Sequence, residues 1–102
     1  MKRKIKELSE EERIETLDTL YTATSALKGR AAMKEFLKDL LTTSERIMLG
    51  RRILIARRIL SGESTLKIAK NMKVGFDTIY RVERWLQDSM PGYENAIAGL
   101  DK

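Results

Sequence analysis

The sequence lacks cysteine and histidine altogether, and it contains a single proline and a single tryptophan among its 102 residues. Without cysteine no disulfide can form, and a zinc site would depend on carboxylates alone. Nucleophilic catalysis by cysteine or by a serine–histidine pair is excluded for the same reason. No apolar run approaches the length of a membrane span, and no signal peptide is recognisable. These absences predict a cytoplasmic protein without cofactor, metal or membrane partner.

The formal net charge is +5, and the positive excess is concentrated in the central part of the chain. Residues 42–90 contain ten Lys or Arg against five Asp or Glu, whereas residues 1–41 contain nine against eight. Contacts to nucleic-acid phosphates require a basic surface of this kind. A surface that is basic only for solubility would be more evenly charged, so the distribution favours nucleic-acid binding.

Apolar residues recur at helical spacing along the whole chain, and no strand pattern is present. We therefore predict an all-α fold of about six helices in one domain, residues 1–102, after a mobile basic arm over residues 1–8. Ser9 and Glu12 have capping-box spacing, and so do Thr42 and Glu45, at the starts of the first and third helices. The predicted helices cover about residues 10–27, 30–41, 43–61, 65–72 and 76–88, followed by a short helix that begins at Pro91.

The third predicted helix is apolar over a wide arc, which indicates a central helix that is buried on several sides. Its apolar positions are Ile47, Met48, Leu49, Ile53, Leu54, Ile55, Ala56, Ile59 and Leu60. In so small a chain, a second subunit would cover part of this surface.

Residues 65–84 have the pattern of a helix, a tight turn and a second helix, which is typical of a DNA-binding helix-turn-helix. Ala69 supplies the small side chain needed where the two helices approach. We expect Gly75 to adopt the unusual φ of the turn. The apolar residues that would join the two helices are Ile68, Met72, Val74, Ile79 and Val82.

The second helix of this unit would enter the major groove with its first residues. The candidates for base contacts are Phe76, Asp77, Tyr80 and Arg81, and the candidates for phosphate contacts are Lys67, Lys70, Lys73 and Arg84. Phe76 could touch a thymine methyl group, and Asp77 could accept from a cytosine amino group. An acid in the first turn of a helix is also favoured by the helix dipole, so Asp77 has an alternative explanation.

From Leu41 to Leu86, roughly half of the chain, the sequence resembles the Trp repressor family, with the YerC/YecD group of Trp-repressor-related proteins as the closer match. The residues that carry the resemblance are Leu41-Thr42, Glu45-Arg46, Leu49-Gly50, Arg52, Ile55, Leu60, Gly62-Glu63, Lys70-Asn71, Gly75, Thr78-Ile79 and Arg81. The resemblance implies an intertwined homodimer with a pair of helix-turn-helix heads. It also implies regulation of transcription, with double-stranded DNA as the partner and association with the nucleoid.

The ligand pocket of that family carries over only in part. Thr42, Arg52 and Arg81 match residues that surround the bound amino acid in the repressor, but Val82 stands where the repressor has glycine and Trp85 where it has serine. Both differences add bulk, and an extra isopropyl group in a close-packed site can exclude a ligand. The resemblance thus implies a vestigial pocket and a regulator that does not use tryptophan as corepressor. Whether an unidentified small molecule acts as effector is a question that the sequence leaves open.

Two other classes of protein are compatible with the pattern. A non-specific nucleic-acid or RNA-binding module would explain the charge without requiring the turn. A protein-interaction adaptor would keep the fold without DNA affinity. An enzyme is not indicated, because no constellation of base, nucleophile and oxyanion donors is present.

Overall fold

A computed structural model describes residues 5–88 and 91–100. Over these residues the chain is all-helical and contains no strand, which confirms the predicted fold class. A short 3-10 turn, Ile5–Glu7, precedes six α-helices: α1 Glu10–Ser25, α2 Arg30–Leu40, α3 Thr43–Leu60, α4 Thr65–Met72, α5 Phe76–Gln87 and α6 Pro91–Leu100. The last part of the predicted basic arm is thus a turn, while its residues 1–4 lie outside the described residues, as do Ser89 and Met90.

The helices fall into two compact units, Met1–Thr42 and Thr43–Lys102. The first contains α1 and α2, and the second contains α3 to α6. The single domain over residues 1–102 stays a prediction.

In the first unit, the predicted capping box at the start of α1 is confirmed. The Ser9 hydroxyl accepts from the Glu12 backbone N–H at 3.1 Å, and the Ser9 backbone N–H donates to Glu12 Oε1 at 3.2 Å. No residue of α1 or α2 is buried, and Ile14, Leu17 and Tyr21 of α1 are 62%, 47% and 60% exposed. The apolar face of α1 is therefore uncovered within the first unit.

The second unit has its own hydrophobic core, to which all four of its helices contribute. Helix α3 packs against α4, α5 and α6. The buried side chains are Ile55 and Ala56 of α3, Ile68 of α4, Ile79 and Val82 of α5, and Ile97 of α6. This unit is the part of the chain that carries the helix-turn-helix.

Helix α3 is central to this unit, as predicted, but it is not buried on several sides. Among its residues only Ile55 and Ala56 are buried. The exposed remainder comprises Ile47, Met48, Leu49, Ile53, Leu54 and Leu60. Within the second unit, α4, α5 and α6 cover one side of a helix that is apolar on a wide arc, and no other helix of this unit covers its other side.

The end of α3 is defined by its backbone hydrogen bonds. The Gly62 N–H donates to the Ile59 carbonyl at 3.0 Å, and the Glu63 N–H donates to the Arg58 carbonyl at 3.1 Å. This pair of bonds is a Schellman motif, which needs a left-handed residue just after the helix. Gly62 supplies it with φ 91°. The chain is thereby turned into α4, whose first turn is capped by the Ser64 hydroxyl.

Candidate nucleic-acid interface

Helices α4 and α5 are joined by the apolar residues that the sequence indicates. Ile68 and Ile79 are 0% exposed and Val82 is 1% exposed. Ala69, Met72 and Val74 are partly buried against this core. Burying one such large side chain completely is worth about 1.5–3 kcal/mol, so the cluster can hold the two short helices in a fixed relation.

The prediction for the turn was wrong about which residue adopts the unusual backbone conformation. Gly75 has φ −73° and ψ 155°, which any residue can adopt, and it is the N-cap of α5. Lys73 instead has φ 54° and ψ 49°, in the left-handed region, as the C-cap of α4. The chain changes direction at Lys73, the residue directly after α4. A left-handed residue at this position is the ordinary way to satisfy the last carbonyl groups of a helix. The Lys73 and Val74 N–H groups both donate to the Ala69 carbonyl.

Arg51 of α3 supports the same turn from outside. Its Nη2 donates to the carbonyl oxygen of Met72, the last residue of α4, at 2.8 Å. A cation at the carboxyl end of a helix is also favoured by the helix dipole. Sequence analysis missed this contact, because the two residues lie 21 positions apart and no local pattern relates them.

The exposed side of α5 presents the side chains that sequence analysis assigned to base contacts. We call these exposed residues the recognition face: Phe76, Asp77, Tyr80, Arg81 and Arg84. The rings of Phe76 and Tyr80 stack on each other, with centroids 6.2 Å apart and an interplanar angle of 24°. Asp77 lies in the first turn of α5, where the helix dipole stabilises a carboxylate.

Three exposed lysines, Lys67, Lys70 and Lys73, lie on α4 and in the turn beside this face. Lys67 Nζ lies 3.9 Å from Glu63 Oε1, and the other Glu63 oxygen lies 3.3 Å from Arg58 Nη1. Because Lys67 already faces a carboxylate, it offers less free positive charge than its neighbours Lys70 and Lys73.

A cleft with a cavity volume of about 370 Å³ opens between α3 and the helix-turn-helix, entirely within the second unit. It brings together Arg52, Arg81, Val82 and Trp85, four of the five residues assigned to the vestigial pocket. Thr42 belongs to the first unit, and its part in the pocket stays a prediction. The walls also include residues that sequence analysis did not identify: Ser44, Ile47, Met48, Arg51, Ile55, Val74, Gly75 and Thr78.

Trp85 forms one wall of the cleft and is already in contact with side chains of two other helices. The guanidinium carbon of Arg52 lies 5.3 Å from the centroid of its ring, a cation–π distance. On α6, the ring of Tyr93 stacks on Trp85 at 6.5 Å and 15°. Tyr93 was recognised in the sequence only as part of an apolar stripe, because periodicity does not identify a contact partner on another helix.

The two packed helices, the left-handed turn and the exposed recognition face define a helix-turn-helix protein. The family model of the Trp repressor protein matches residues 15–101, and the chain belongs to the Trp repressor family. This is a family of DNA-binding, non-enzymatic regulators of transcription. The match extends beyond Leu41–Leu86, where the resemblance was recognised, into α1, α2 and α6.

No curated protein and no solved structure matches the chain. In residues 5–88 and 91–100, no three or more Asp or Glu side chains are grouped so as to hold a metal ion. No helix within those ranges is long and apolar enough to cross a membrane.

Proposed function

We propose that this protein is a sequence-specific transcriptional regulator, a repressor, that binds a near-palindromic operator as a homodimer in the cytoplasm. The observation that carries the proposal is the recognition face, because five exposed side chains project from a helix whose other side buries Ile79 and Val82 in the core. The first turns of such a helix are the part that reaches base edges in the major groove. Membership in the YerC/YecD group is part of the same proposal.

The chemistry of the side chains indicates which residues would contact phosphates and which would contact bases. Lys70, Lys73 and Arg84 would contact phosphates, which fix the position of the protein on the duplex without reading sequence. Phe76, Asp77, Tyr80 and Arg81 would contact base edges. Lys67 would contribute less than Lys70, because Glu63 already lies beside it.

A homodimer would cover the apolar surfaces that the two units, each taken by itself, leave exposed. These lie on α1, at Ile14, Leu17 and Tyr21, and on the open side of α3, at Ile53 and Leu54. Apolar patches of this kind on a small protein favour association. Two recognition helices related by a two-fold axis would lie about 34 Å apart, on successive major grooves.

We propose further that tryptophan is not the corepressor. Arg52 and Trp85 both line the cleft, and the guanidinium carbon of Arg52 lies 5.3 Å from the Trp85 ring centroid, so the indole of the protein already takes one cation–π contact that this arginine could offer an aromatic ligand. Val82 is 1% exposed and adds an isopropyl group to the wall of the cleft where the family has glycine. An effector, if one exists, would be a small anion that fits beside Arg51, Arg52 and Arg81.

The deciding experiment is selection of bound sequences from a random duplex library, with purified protein, at physiological salt and without ligand. We expect enrichment of a near-palindrome with half-sites one helical turn apart. In follow-up titrations, Lys70→Ala should weaken binding to all sequences alike and lower the salt slope by about 0.9. Tyr80→Ala should instead change the sequence preference, and Lys67→Ala is the matched control with the smaller effect.

Three results would count against the proposal. Binding that is independent of sequence and vanishes as salt rises would favour the non-specific module. A dimer without affinity for DNA at low salt would favour the adaptor. Micromolar binding of tryptophan in calorimetry, with tighter DNA binding in its presence, would show that tryptophan is a corepressor after all.

A further inference from the structure

The stacked rings of Phe76 and Tyr80 are an unusual feature of the recognition face. Phe76 is 45% exposed and Tyr80 is 51% exposed, although both belong to a helix whose neighbouring residue Ile79 is fully buried. The two residues are four positions apart, so they lie on the same side of α5. Their ring centroids lie 6.2 Å apart, and about half of each residue is exposed to solvent.

We propose that this aromatic pair reads the 5-methyl groups of pyrimidines in the major groove, which makes it a determinant of sequence specificity. The inference rests on the proposed function and specifies what the recognition face recognises. The target is a run of thymines in each half-site, or 5-methylcytosine at the same positions.

The chemistry of phenylalanine leads to this target. A phenyl ring has no donor or acceptor, so it cannot read the hydrogen-bonding pattern of a base pair. Among the groups that unmodified base pairs present in the major groove, the thymine 5-methyl is the apolar one. A ring held at the start of α5 therefore discriminates bases only through methyl groups.

The spacing of the rings agrees with the spacing of bases. Successive bases along one strand are about 3.4 Å apart. The ring centroids are 6.2 Å apart, which is close to two base steps. The pair can thus face methyl groups within a run of two or three consecutive base pairs.

The positive charges near the aromatic pair favour a polyanionic partner, and the rings themselves favour a partner that also presents apolar groups. Arg84 lies on the same helix, Lys73 lies in the preceding turn, and both are exposed. A duplex supplies phosphates for these cations and methyl groups for the rings in one surface. A purely apolar protein partner would leave the cations without counter-charges.

The test removes or adds methyl groups without changing base pairing. Each thymine of the selected half-site is replaced in turn by deoxyuridine, and binding is measured by fluorescence anisotropy. We expect binding to be about fourfold weaker for each methyl group that the rings contact, and unchanged elsewhere. Replacing cytosine by 5-methylcytosine at a contacted position should strengthen binding by a similar factor.

Protein variants assign the effect to the rings. Phe76→Ala should bind thymine and deoxyuridine duplexes equally well at its position, and Tyr80→Ala should do the same at the neighbouring one. Tyr80→Phe is the matched control, because it keeps the ring and should keep the methyl dependence. Circular dichroism and thermal unfolding should show that these exposed substitutions leave the fold intact.

The possible failures are distinct. Specific binding that is indifferent to every deoxyuridine substitution would overturn the inference and leave the proposed function standing. Tighter binding to single strands than to the duplex would overturn it too, because the rings would then be stacking on bases. If the library yields no enriched sequence, the proposed function itself fails and the inference fails with it.

Discussion

The guanidinium carbon of Arg52 lies 5.3 Å from the ring centroid of Trp85, so α3 is joined to the last turns of α5 by side chains of the protein itself. The stacking of Tyr93 on the same indole extends the contact to α6. Helix α5 is therefore held at its carboxyl end by side chains of α3 and α6. At its amino end the Arg51–Met72 bond fixes the turn that leads into it.

The first prediction concerns the energetic coupling of Arg52 and Trp85. In a double-mutant cycle, Arg52→Ala and Trp85→Leu should show a coupling free energy of about 0.5–1 kcal/mol, the range for a half-exposed cation–π contact. Urea unfolding followed by circular dichroism measures it. Arg52→Lys should lose part of this energy, because an ammonium lacks the flat face of a guanidinium. Strictly additive effects of the two substitutions would show that the contact contributes nothing.

The second prediction concerns the backbone of the turn. Because Lys73 has φ 54°, replacing it by glycine should raise the free energy of unfolding by about 1 kcal/mol. The same substitution should weaken DNA binding, since it removes one phosphate contact and lowers the salt slope by about 0.9. Urea unfolding and salt-dependent titrations measure the two effects separately.

Substitution of Gly75, two residues after Lys73, is the control for this prediction. Gly75 has an ordinary φ, and a Cβ added to it would meet no atom within 4 Å. Gly75→Ala should therefore fold normally, whereas it would be strongly destabilised if Gly75 were the left-handed residue of the turn. Gly75→Ser should be stabilised by about 0.5 kcal/mol, because serine is a good N-cap. Destabilisation of Gly75→Ala combined with neutrality of Lys73→Gly would contradict this description of the turn.

The third prediction concerns Arg51 as a support of the turn. Arg51→Ala should lower the free energy of unfolding by about 1 kcal/mol, because the Met72 carbonyl loses a charged donor. DNA affinity should fall for all sequences alike, since the turn between α4 and α5 becomes less ordered. Arg51→Lys keeps one charged donor and should recover part of the stability. A change in sequence preference would instead place Arg51 among the base contacts.

Much of this architecture could be predicted from local pattern. The helix bounds followed from apolar periodicity and from capping or helix-breaking residues such as Ser9, Gly62 and Pro91, because such residues act on their immediate neighbours. The buried residues of the helix-turn-helix followed in the same way, since Ile68, Ile79 and Val82 fall on one face of each helix.

What could not be predicted depends on contacts between distant residues or on fine backbone geometry. Arg51 and Tyr93 acquire their partners only when α3, α4, α5 and α6 pack together. Sequence alone favours Gly75 as the left-handed residue of the turn, because glycine adopts a positive φ most readily. The structure places it at Lys73, because the end of α4 and not the residue type sets where the chain must reverse.

The fourth prediction concerns the proposed homodimer and the exposed apolar face of α1. Leu17 is 47% exposed, and no residue of its helix is buried. If a second copy covers this face, Leu17→Glu places an unpaired charge in the interface and should convert the dimer to a monomer with weaker, non-cooperative DNA binding. Sedimentation equilibrium measures the mass directly.

The matched control for this experiment is Thr19→Glu, which adds the same charge at an exposed polar position of α1. It should remain dimeric and bind DNA like the wild type. A Leu17→Glu variant that is still dimeric and still cooperative would place the subunit interface elsewhere, and the open side of α3 at Ile53 and Leu54 would be the next surface to alter. A wild-type protein that sediments as a monomer alone and binds the selected duplex as a single copy would rule out the homodimer, because two copies of α5 on successive grooves require two copies of the chain.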